Sequence, residues 1–208
     1  MGKIIAIEGI TNSGKTTHVL SLKDFLEDKG YGVITFGILS SKLLSEAIIN
    51  VKREIFYQRR TLFLAYVTDL ADQIENVVKP ALDSGFIAIA DGYTLTLEAW
   101  ALTRKLDKEW VEGVLSALPV ANLSISLISP PMEIIRRIIK KKGFLDPLSE
   151  SIDLSIKDDV FLSYKKYINE FQLYLKSISK NVIVTKGNVD EVNDSIQKYV
   201  KEVLEIET

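Results

Sequence analysis

The chain has 208 residues, and its 47% apolar and 26% charged residues are typical of a globular protein that can bury a sizeable core. This length predicts a single domain over residues 1–208. The net charge of −2 offers no general attraction for nucleic acid or an anionic membrane, so we expect neither as a partner. The absence of cysteine excludes disulfides and thiolate metal sites. Because the first apolar run is too short for a signal peptide or a membrane span, we expect a cytoplasmic protein.

Short apolar runs alternate along the chain with longer amphipathic stretches. In chain order they predict strand 4–8, helix 15–29, strand 33–36, helices 41–53 and 61–84, strand 86–90, one or two helices over 97–118, strand 122–129, helix 131–142, strand 181–185 and helix 189–206. Strands that are apolar throughout and separated by helices are typical of a parallel sheet covered on both faces. The predicted fold class is therefore α/β, a three-layer, doubly wound, five-stranded parallel sheet.

The least regular stretch is residues 143–156, with the sequence GFLDPLSESIDLSI. It contains glycine, proline and several serines and aspartates, which favour irregular structure. Two interpretations stay open for it, a plain surface loop and a lid-like segment over a site.

The segment 9–16, GITNSGKT, has the spacing of a phosphate-binding P-loop, Gly-x4-Gly-Lys-Thr. It follows a predicted strand and opens a predicted helix, which is the context that this motif requires. Lys15 would pair with the β- and γ-phosphates of ATP, and the Thr16 hydroxyl would bind Mg²⁺. The loop backbone and the start of the helix would surround the phosphates, through residues Gly9, Ile10, Thr11, Asn12, Ser13, Gly14, Lys15, Thr16 and Thr17. The alternative is a glycine-rich turn that binds nothing.

Phosphoryl transfer on a P-loop also needs a carboxylate near the metal, at the end of a neighbouring strand. Asp91 ends the run FIAIAD and is the first candidate, although an aspartate there could also cap the following helix. Glu8 ends the first strand and is the second candidate metal ligand. A buried carboxylate beside phosphates is costly unless Mg²⁺ or Lys15 is its partner.

Several further segments repeat one family pattern over nearly the whole chain. They are the opening 5–17, the segment 80–85 with the strand ending Asp91-Gly92-Tyr93, the segment 120–127, the helix from Pro131 to Arg137-Ile138, and Lys165-Lys166-Tyr167 with Val182-Ile183. With these segments the chain resembles the thymidylate kinase family, whose members are P-loop nucleoside monophosphate kinases. The resemblance implies transfer of the ATP γ-phosphoryl group to dTMP, with Mg²⁺. It also suggests a homodimer formed through the helix over 61–84.

The resemblance further implies which residues act on the two substrates. The expected catalytic residues are Lys15, Asp91 and Arg137, with Arg137 closing on ATP. The expected acceptor-binding residues are Tyr66, Asp69, Tyr93, Trp100 and Arg104. An aromatic face can stack on a pyrimidine. Aromatic residues at helical spacing are also common in cores, and Arg104 could be a solvated surface charge.

The chain departs from the family where the acceptor is expected. Two family arginines fall on Gly92 and Leu70, an Arg-Glu-Pro segment falls on residues 36–39, and an acidic P-loop residue falls on Thr11. Each lost arginine removes a charge-assisted contact with phosphate or base. Arg104 is the first candidate replacement. Two alternatives stay open, a kinase for another nucleoside or nucleoside monophosphate, and a nucleotide-binding paralogue with little phosphotransfer.

Overall fold

The computed structural model describes residues 2–42, 44–54, 58–145, 159–186 and 188–205, with no side-chain description for 50–54. The five strands are β1 (Lys3–Glu8), β2 (Val33–Gly37), β3 (Ile87–Asp91), β4 (Leu123–Ile128) and β5 (Asn181–Val184). They form one parallel sheet in the order β2-β3-β1-β4-β5. The predicted α/β class and five-stranded parallel sheet are therefore confirmed.

Nine α-helices lie in the described ranges. They are α1 (Lys15–Asp28), α2 (Ser45–Glu54), α3 (Arg59–Gln73), α4 (Lys79–Asp83), α5 (Thr94–Thr103), α6 (Lys108–Leu115), α7 (Pro131–Lys142), α8 (Val160–Ile178) and α9 (Val189–Leu204). The hydrophobic pattern did not delimit α8, which the sequence indicated only through the tyrosine-bearing segment 165–167 of the family pattern. Among the helices of the described ranges, none combines the length and the hydropathy that a membrane crossing requires.

Side chains of β1 alternate between the two faces of the sheet, as the period of a strand requires. Ile5 and Ile7 pack in the core layer that α1 and α9 complete. Ile4 and Ala6 pack in the opposite layer, with α3, α5 and α8. The same alternation directs the last residue, Glu8, towards the layer that contains α5.

The side chains of the neighbouring strand β3 alternate in the same way, but its last residue lies on the face opposite to that of Glu8. Ile87 and Ile89 lie in the α1 layer, and Ala88 and Ala90 lie in the α5 layer. Asp91 therefore ends β3 on the α1 side. The carboxylates that end these two adjacent strands consequently point to opposite faces of the sheet.

The predicted helix over 61–84 is divided. A π-helical turn, Ile74–Val78, separates α3 from α4. Pro80 lies at the start of α4 and has no N–H to donate to the preceding turn, so a regular α-helix cannot continue through it. The wider turn adapts the backbone to that missing hydrogen bond.

The lid-like segment predicted at 143–156 begins where α7 ends. Gly143 takes a left-handed conformation with φ of 84° and closes the helix. Residues 146–156 lie outside the described residues. The interpretation of the chain as one domain with a lid-like segment therefore stays a prediction.

Leu70 of α3 provides a test of this packing. It is fully buried in the core, and the family arginine that the sequence aligned with it would place a charge there. We expect Leu70→Arg to lower the free energy of unfolding by at least about 3 kcal/mol, because a buried charge without a partner is costly. Urea denaturation followed by circular dichroism measures the change. Leu20→Arg on α1, at a side chain that is 53% exposed, should change it by less than about 0.5 kcal/mol. Equal stability of the two variants would contradict the burial of Leu70.

Candidate active site

A cavity of about 530 Å³ opens at the carboxyl edge of the sheet, where β1 and β3 end. Its size is in the range of small-molecule sites. The P-loop lines it, together with four aromatic residues, Tyr66, Trp100, Tyr167 and Phe171. We call these four the aromatic wall. The predicted site residues that the cavity brings together are Ile10, Thr11, Asn12, Gly14, Lys15, Thr16, Thr17, Tyr66, Asp91, Trp100 and Arg137.

The P-loop backbone depends on residues that accept positive φ. Gly9 has φ of 155°, Asn12 has 65° and Gly14 has 106°. At Gly9 a β-carbon would come within 2.6 Å of the Ser13 Oγ, so a side chain there would disrupt the loop. Ser13 is fully buried beneath the loop and does not line the cavity. Gly9 and Ser13 therefore shape the loop from within.

Lys15, Thr16 and Asp91 meet at the phosphate end of the cavity. The Lys15 Nζ donates a hydrogen bond to the Ile10 carbonyl at 3.0 Å, and the Thr16 hydroxyl donates to the Asp91 Oδ2 at 2.5 Å. Asp91 is close to Thr16 because β3 lies beside β1 in the sheet. Asp91, the last residue of β3, pairs there with Ile7 of β1.

A hydroxyl and a carboxylate are oxygen ligands of the kind that Mg²⁺ prefers. The described ranges contain no group of three or more histidine, cysteine, aspartate or glutamate side chains that could enclose a metal. The Thr16–Asp91 pair thus matches a Mg²⁺ that takes its other ligands from phosphates and water.

Glu8 faces away from this pair. Its Oε2 accepts hydrogen bonds from the Tyr93 N–H at 2.8 Å, the Thr96 N–H at 3.0 Å and the Thr96 hydroxyl at 2.5 Å. Its Oε1 accepts from the Leu95 N–H at 3.2 Å. The Gly9 N–H in turn donates to the Thr96 Oγ1 at 3.0 Å. The carboxylate therefore caps the N-terminus of α5 and, through Thr96, holds the first residue of the P-loop.

Burial acts against the charge of Glu8. Desolvation raises its pKa above the ordinary value, while the hydrogen bonds from Thr96 and from the start of α5 lower it by a smaller amount. The folded protein consequently binds a proton at Glu8 more tightly than the unfolded chain does.

Asp69 is also buried and does not line the cavity. It is therefore not placed for a direct contact with a substrate. It accepts hydrogen bonds from the Ser40 and Ser41 N–H groups, both at 3.2 Å, and from the Gln73 Nε2 at 2.9 Å. Burial raises the pKa of Asp69. Residues 38–40 line the cavity, so Asp69 shapes the site by holding this loop.

Tyr93 lies in the core. Its side chain is fully buried, its ring meets the edge of Phe36 at 5.6 Å, and its hydroxyl donates to the Pro119 carbonyl at 2.8 Å. Burial, and to a smaller extent the nearby Glu8 charge, raise the pKa of Tyr93. The structure does not bring the predicted substrate contact Tyr93 to the cavity.

Arg104 lies behind the aromatic wall and is 4% exposed. Its Cζ is 4.0 Å from the Trp100 ring centre and 5.0 Å from that of Tyr167. Its guanidinium donates to the Trp100 carbonyl at 3.1 Å and to the Tyr167 hydroxyl at 3.2 Å. Cation–π contacts of this kind hold the two rings together. Arg104 thus links α5 to α8 instead of lining the cavity.

Two members of the aromatic wall were not predicted as site residues from the sequence. Tyr167 and Phe171 are four residues apart on α8 and present one face to the cavity. Their spacing is also that of ordinary core residues, so the sequence alone offered no signal to separate them from the core.

Arg137 connects α7 with the P-loop. Its Nη1 donates to the Ser13 carbonyl at 3.0 Å and approaches the Asn12 carbonyl at 3.4 Å. It lines the cavity together with Lys141, one helical turn further along α7. The guanidinium therefore lies at the loop that is expected to receive the triphosphate.

The two positions where the family pattern has arginines lie in different surroundings. Gly92 has φ of 77°, and a β-carbon there would lie 3.1 Å from the Ile38 Cδ1 and 3.5 Å from the Lys15 Cε. Ile38, from the segment that replaces Arg-Glu-Pro, therefore occupies the space beside Gly92. Leu70 packs in the core, away from the cavity. Gly92 and Ile38 therefore add no charge on this side of the Lys15 side chain.

Glu8 and Asp91 should differ in their contribution to stability. In Glu8→Gln the side-chain NH₂ group would oppose the backbone N–H donors of α5 and leave buried donors unpaired. We expect a loss of about 2–4 kcal/mol in the free energy of unfolding. Asp91→Asn, at a partly exposed site, should lose less than about 1 kcal/mol. Chemical denaturation at neutral pH measures both.

The pH dependence of stability provides the control for Glu8. Because its pKa is raised on folding, wild-type stability should fall as the pH rises from about 4.5 through the folded pKa, and Glu8→Gln should remove that contribution. Identical pH profiles of the two proteins, or equal losses in the Glu8 and Asp91 variants, would contradict the assignment of Glu8 as the cap of α5.

Comparison with known proteins places this site in a family. The family model described as Thymidylate kinase matches residues 7–196. A probable thymidylate kinase of Pyrococcus abyssi is 31% identical over 98% of both chains, and a probable thymidylate kinase 2 of Saccharolobus solfataricus is 29% identical over 98% of both. A thymidylate kinase of Caldicellulosiruptor saccharolyticus is 27% identical, again over 98% of both. The chain therefore belongs to the thymidylate kinase family.

Proposed function

We propose that this protein is an ATP-dependent thymidylate kinase, which phosphorylates dTMP to dTDP in the cytoplasm as a step of dTTP synthesis. One observation carries the proposal. Lys15 and the Thr16–Asp91 pair line the same cavity as the aromatic wall. Such a cavity can hold a phosphate donor at one end and a nucleobase at the other. Membership of the thymidylate kinase family supports dTMP as the acceptor.

The donor end has the groups that a triphosphate requires. The backbone of the P-loop and the N-terminus of α1 provide N–H groups and a positive dipole for the phosphates. The Lys15 ammonium would exchange its hydrogen bond with the Ile10 carbonyl for the β- and γ-phosphates. Thr16 and Asp91 would hold Mg²⁺, and Glu8, whose oxygens serve α5, would not. When bound, Mg²⁺ neutralises part of the phosphate charge.

The acceptor end offers flat apolar surfaces. Tyr66 meets the edge of Trp100 at 5.6 Å with an interplanar angle of 85°, so the two rings form a corner. A pyrimidine can stack on one ring and contact the edge of the other. The contact with Arg104 restricts the Trp100 side chain before any base binds. Binding of a base would therefore cost less side-chain entropy at Trp100.

A panel of acceptors tests the activity. We expect transfer from ATP to dTMP with a kcat/KM at least about tenfold above the values for dUMP, dCMP, dAMP, dGMP and thymidine, measured by coupled ADP release.

Lys15→Ala should lower kcat by about 100-fold or more. Asp91→Asn should raise the Mg²⁺ concentration required for half-maximal rate, whereas Glu8→Gln should leave that concentration unchanged in the folded fraction.

Binding and folding controls complete this experiment. Circular dichroism of each variant separates a loss of rate from a loss of folded protein. Wild-type protein that binds ATP but transfers phosphate to none of the acceptors would overturn the proposed activity. A clear preference for another monophosphate would overturn dTMP as the substrate.

We also propose a homodimer formed through α3 and the π-helical turn. The outward face there carries the exposed apolar side chains of Leu64 and Val77, 44% and 47% exposed. Thr68, also exposed, and the partly exposed Ala71 lie on the same stretch, and their small side chains allow close packing of two helices. The family resemblance suggests the same surface.

Sedimentation velocity at micromolar concentration tests the dimer. We expect twice the mass of the chain for wild type, and a shift towards the monomer, with at least about tenfold weaker association, for Leu64→Arg, because the substitution places a charge in an apolar interface. Leu20→Arg on α1 is the matched control and should keep the dimer. A monomeric wild type would overturn this assembly without affecting the proposed chemistry.

A further inference from the structure

Ser129 directly follows β4 and contacts the P-loop from outside the cavity. It is buried, and its hydroxyl donates a hydrogen bond to the Ser13 carbonyl at 3.3 Å. Neither Ser129 nor Ser13 lines the cavity, whereas the next residue of the loop, Gly14, does. A side chain that is not exposed to the cavity therefore holds the peptide group that leads into it.

The peptide group between Ser13 and Gly14 transmits this contact. In a trans peptide the carbonyl and the following N–H point in opposite directions, and the described part of the chain has no cis peptide bond. With the Ser13 carbonyl held on Ser129, the Gly14 N–H points away from Ser129 and towards the cavity. Gly14 has φ of 106°, and a glycine backbone by itself does not fix this direction. Backbone N–H groups at the N-terminus of a helix are donors that phosphates bind.

Two side chains hold the Ser13 carbonyl, and they differ in exposure. Arg137 donates to it at 3.0 Å from an exposed side chain that also lines the cavity. Solvent and ligands in the cavity can compete for that guanidinium, but they do not reach the buried Ser129. Ser129 is therefore the contact that stays in place when the cavity is filled.

The hydroxyl of Thr185 supports Ser129 as the donor. The two hydroxyls are in hydrogen-bond contact, and the Thr185 Oγ1 also lies 3.3 Å from the Ile128 carbonyl. That carbonyl already accepts the Thr185 N–H at 2.8 Å. When Thr185 donates its proton to Ser129, the proton of Ser129 remains for the Ser13 carbonyl, and every one of these buried groups has a partner.

The backbone of Ser129 is held as well. Its N–H donates to the Oε1 of Gln172, a buried residue of α8, at 2.8 Å. Pro130 follows, and a residue before proline is restricted to extended conformations. The hydroxyl is thus presented to the P-loop from a fixed position.

We propose that Ser129 is a positioning residue for the donor nucleotide. Its hydroxyl holds the Ser13 carbonyl and thereby aims the Gly14 N–H at the phosphates, and Ser129 itself does not touch the nucleotide. The inference rests on the nucleotide binding that the proposed function requires.

The affinity for ADP, measured by calorimetry with Mg²⁺ and without an acceptor, tests the proposal. We expect Ser129→Ala to weaken ADP binding by about 3–10-fold, the contribution of one hydrogen bond. Ser126→Ala is the matched control, because it removes another buried hydroxyl next to β1, one that contacts Ser179 at the end of α8 at 2.6 Å. It should stay within about twofold of wild type. An unchanged affinity of Ser129→Ala, or equal losses in the two variants, would overturn the proposal.

The amide signal of Gly14 separates aiming of the loop from a general loss of structure. In ¹H–¹⁵N spectra its amide proton should move downfield when ADP binds to wild type, because the N–H donates to a charged phosphate. The movement should be smaller in Ser129→Ala and equal to wild type in Ser126→Ala. Ser129→Cys, with a thiol that is a weak donor, should reduce both the affinity and the movement, and it carries the test if Ser129→Ala does not fold. The same movement in wild type and the Ser129 variants would contradict the assignment.

These measurements also separate the inference from the proposed function. A wild type that binds ADP but transfers no phosphate overturns the proposed activity, and both readouts for Ser129 still apply. A wild type that does not bind ADP overturns both.

Discussion

The buried carboxylate of Glu8 joins the two halves of the site. It accepts three hydrogen bonds from the backbone at the start of α5 and one from the Thr96 hydroxyl, and Thr96 accepts the N–H of Gly9. The P-loop and the helix that carries Trp100 are therefore held in one rigid arrangement. A carboxylate can satisfy several N–H donors at a helix N-terminus, where the helix dipole also favours negative charge. These contacts offset part of the cost of burying Glu8, and the pKa of the carboxyl stays raised.

The alternation of side chains along parallel strands explains why Glu8 and Asp91 have different surroundings. They end adjacent strands, yet Glu8 belongs to the face covered by α5 and Asp91 to the face covered by α1. The first carboxylate consequently stabilises a helix, and the second meets Thr16 at the phosphate end of the cavity. A sheet with helices on both faces can thus separate a structural carboxylate from a candidate metal ligand, although both follow the same kind of apolar strand.

Local patterns in the sequence predicted the sheet and the P-loop, since apolar runs, glycines and helix starts are signals within a few residues. They could not predict contacts between distant residues. The helix predicted from residue 97 begins at Thr94 because Glu8, 88 residues before Thr96, caps it. Asp69, Tyr93 and Arg104 were predicted at the acceptor, and the structure gives them buried partners behind the cavity instead. Their residue types suit both situations, and only tertiary packing decides between them.

The departures from the family pattern form a consistent set in space. Gly92 has a left-handed backbone and lies beside Ile38, which belongs to the segment that stands in place of Arg-Glu-Pro. In the described ranges, the cations that line the cavity are Lys15 at the P-loop and Arg137 and Lys141 on α7. The positive charge at this cavity therefore comes from the P-loop and from α7, whereas β3 ends there on a carboxylate, Asp91.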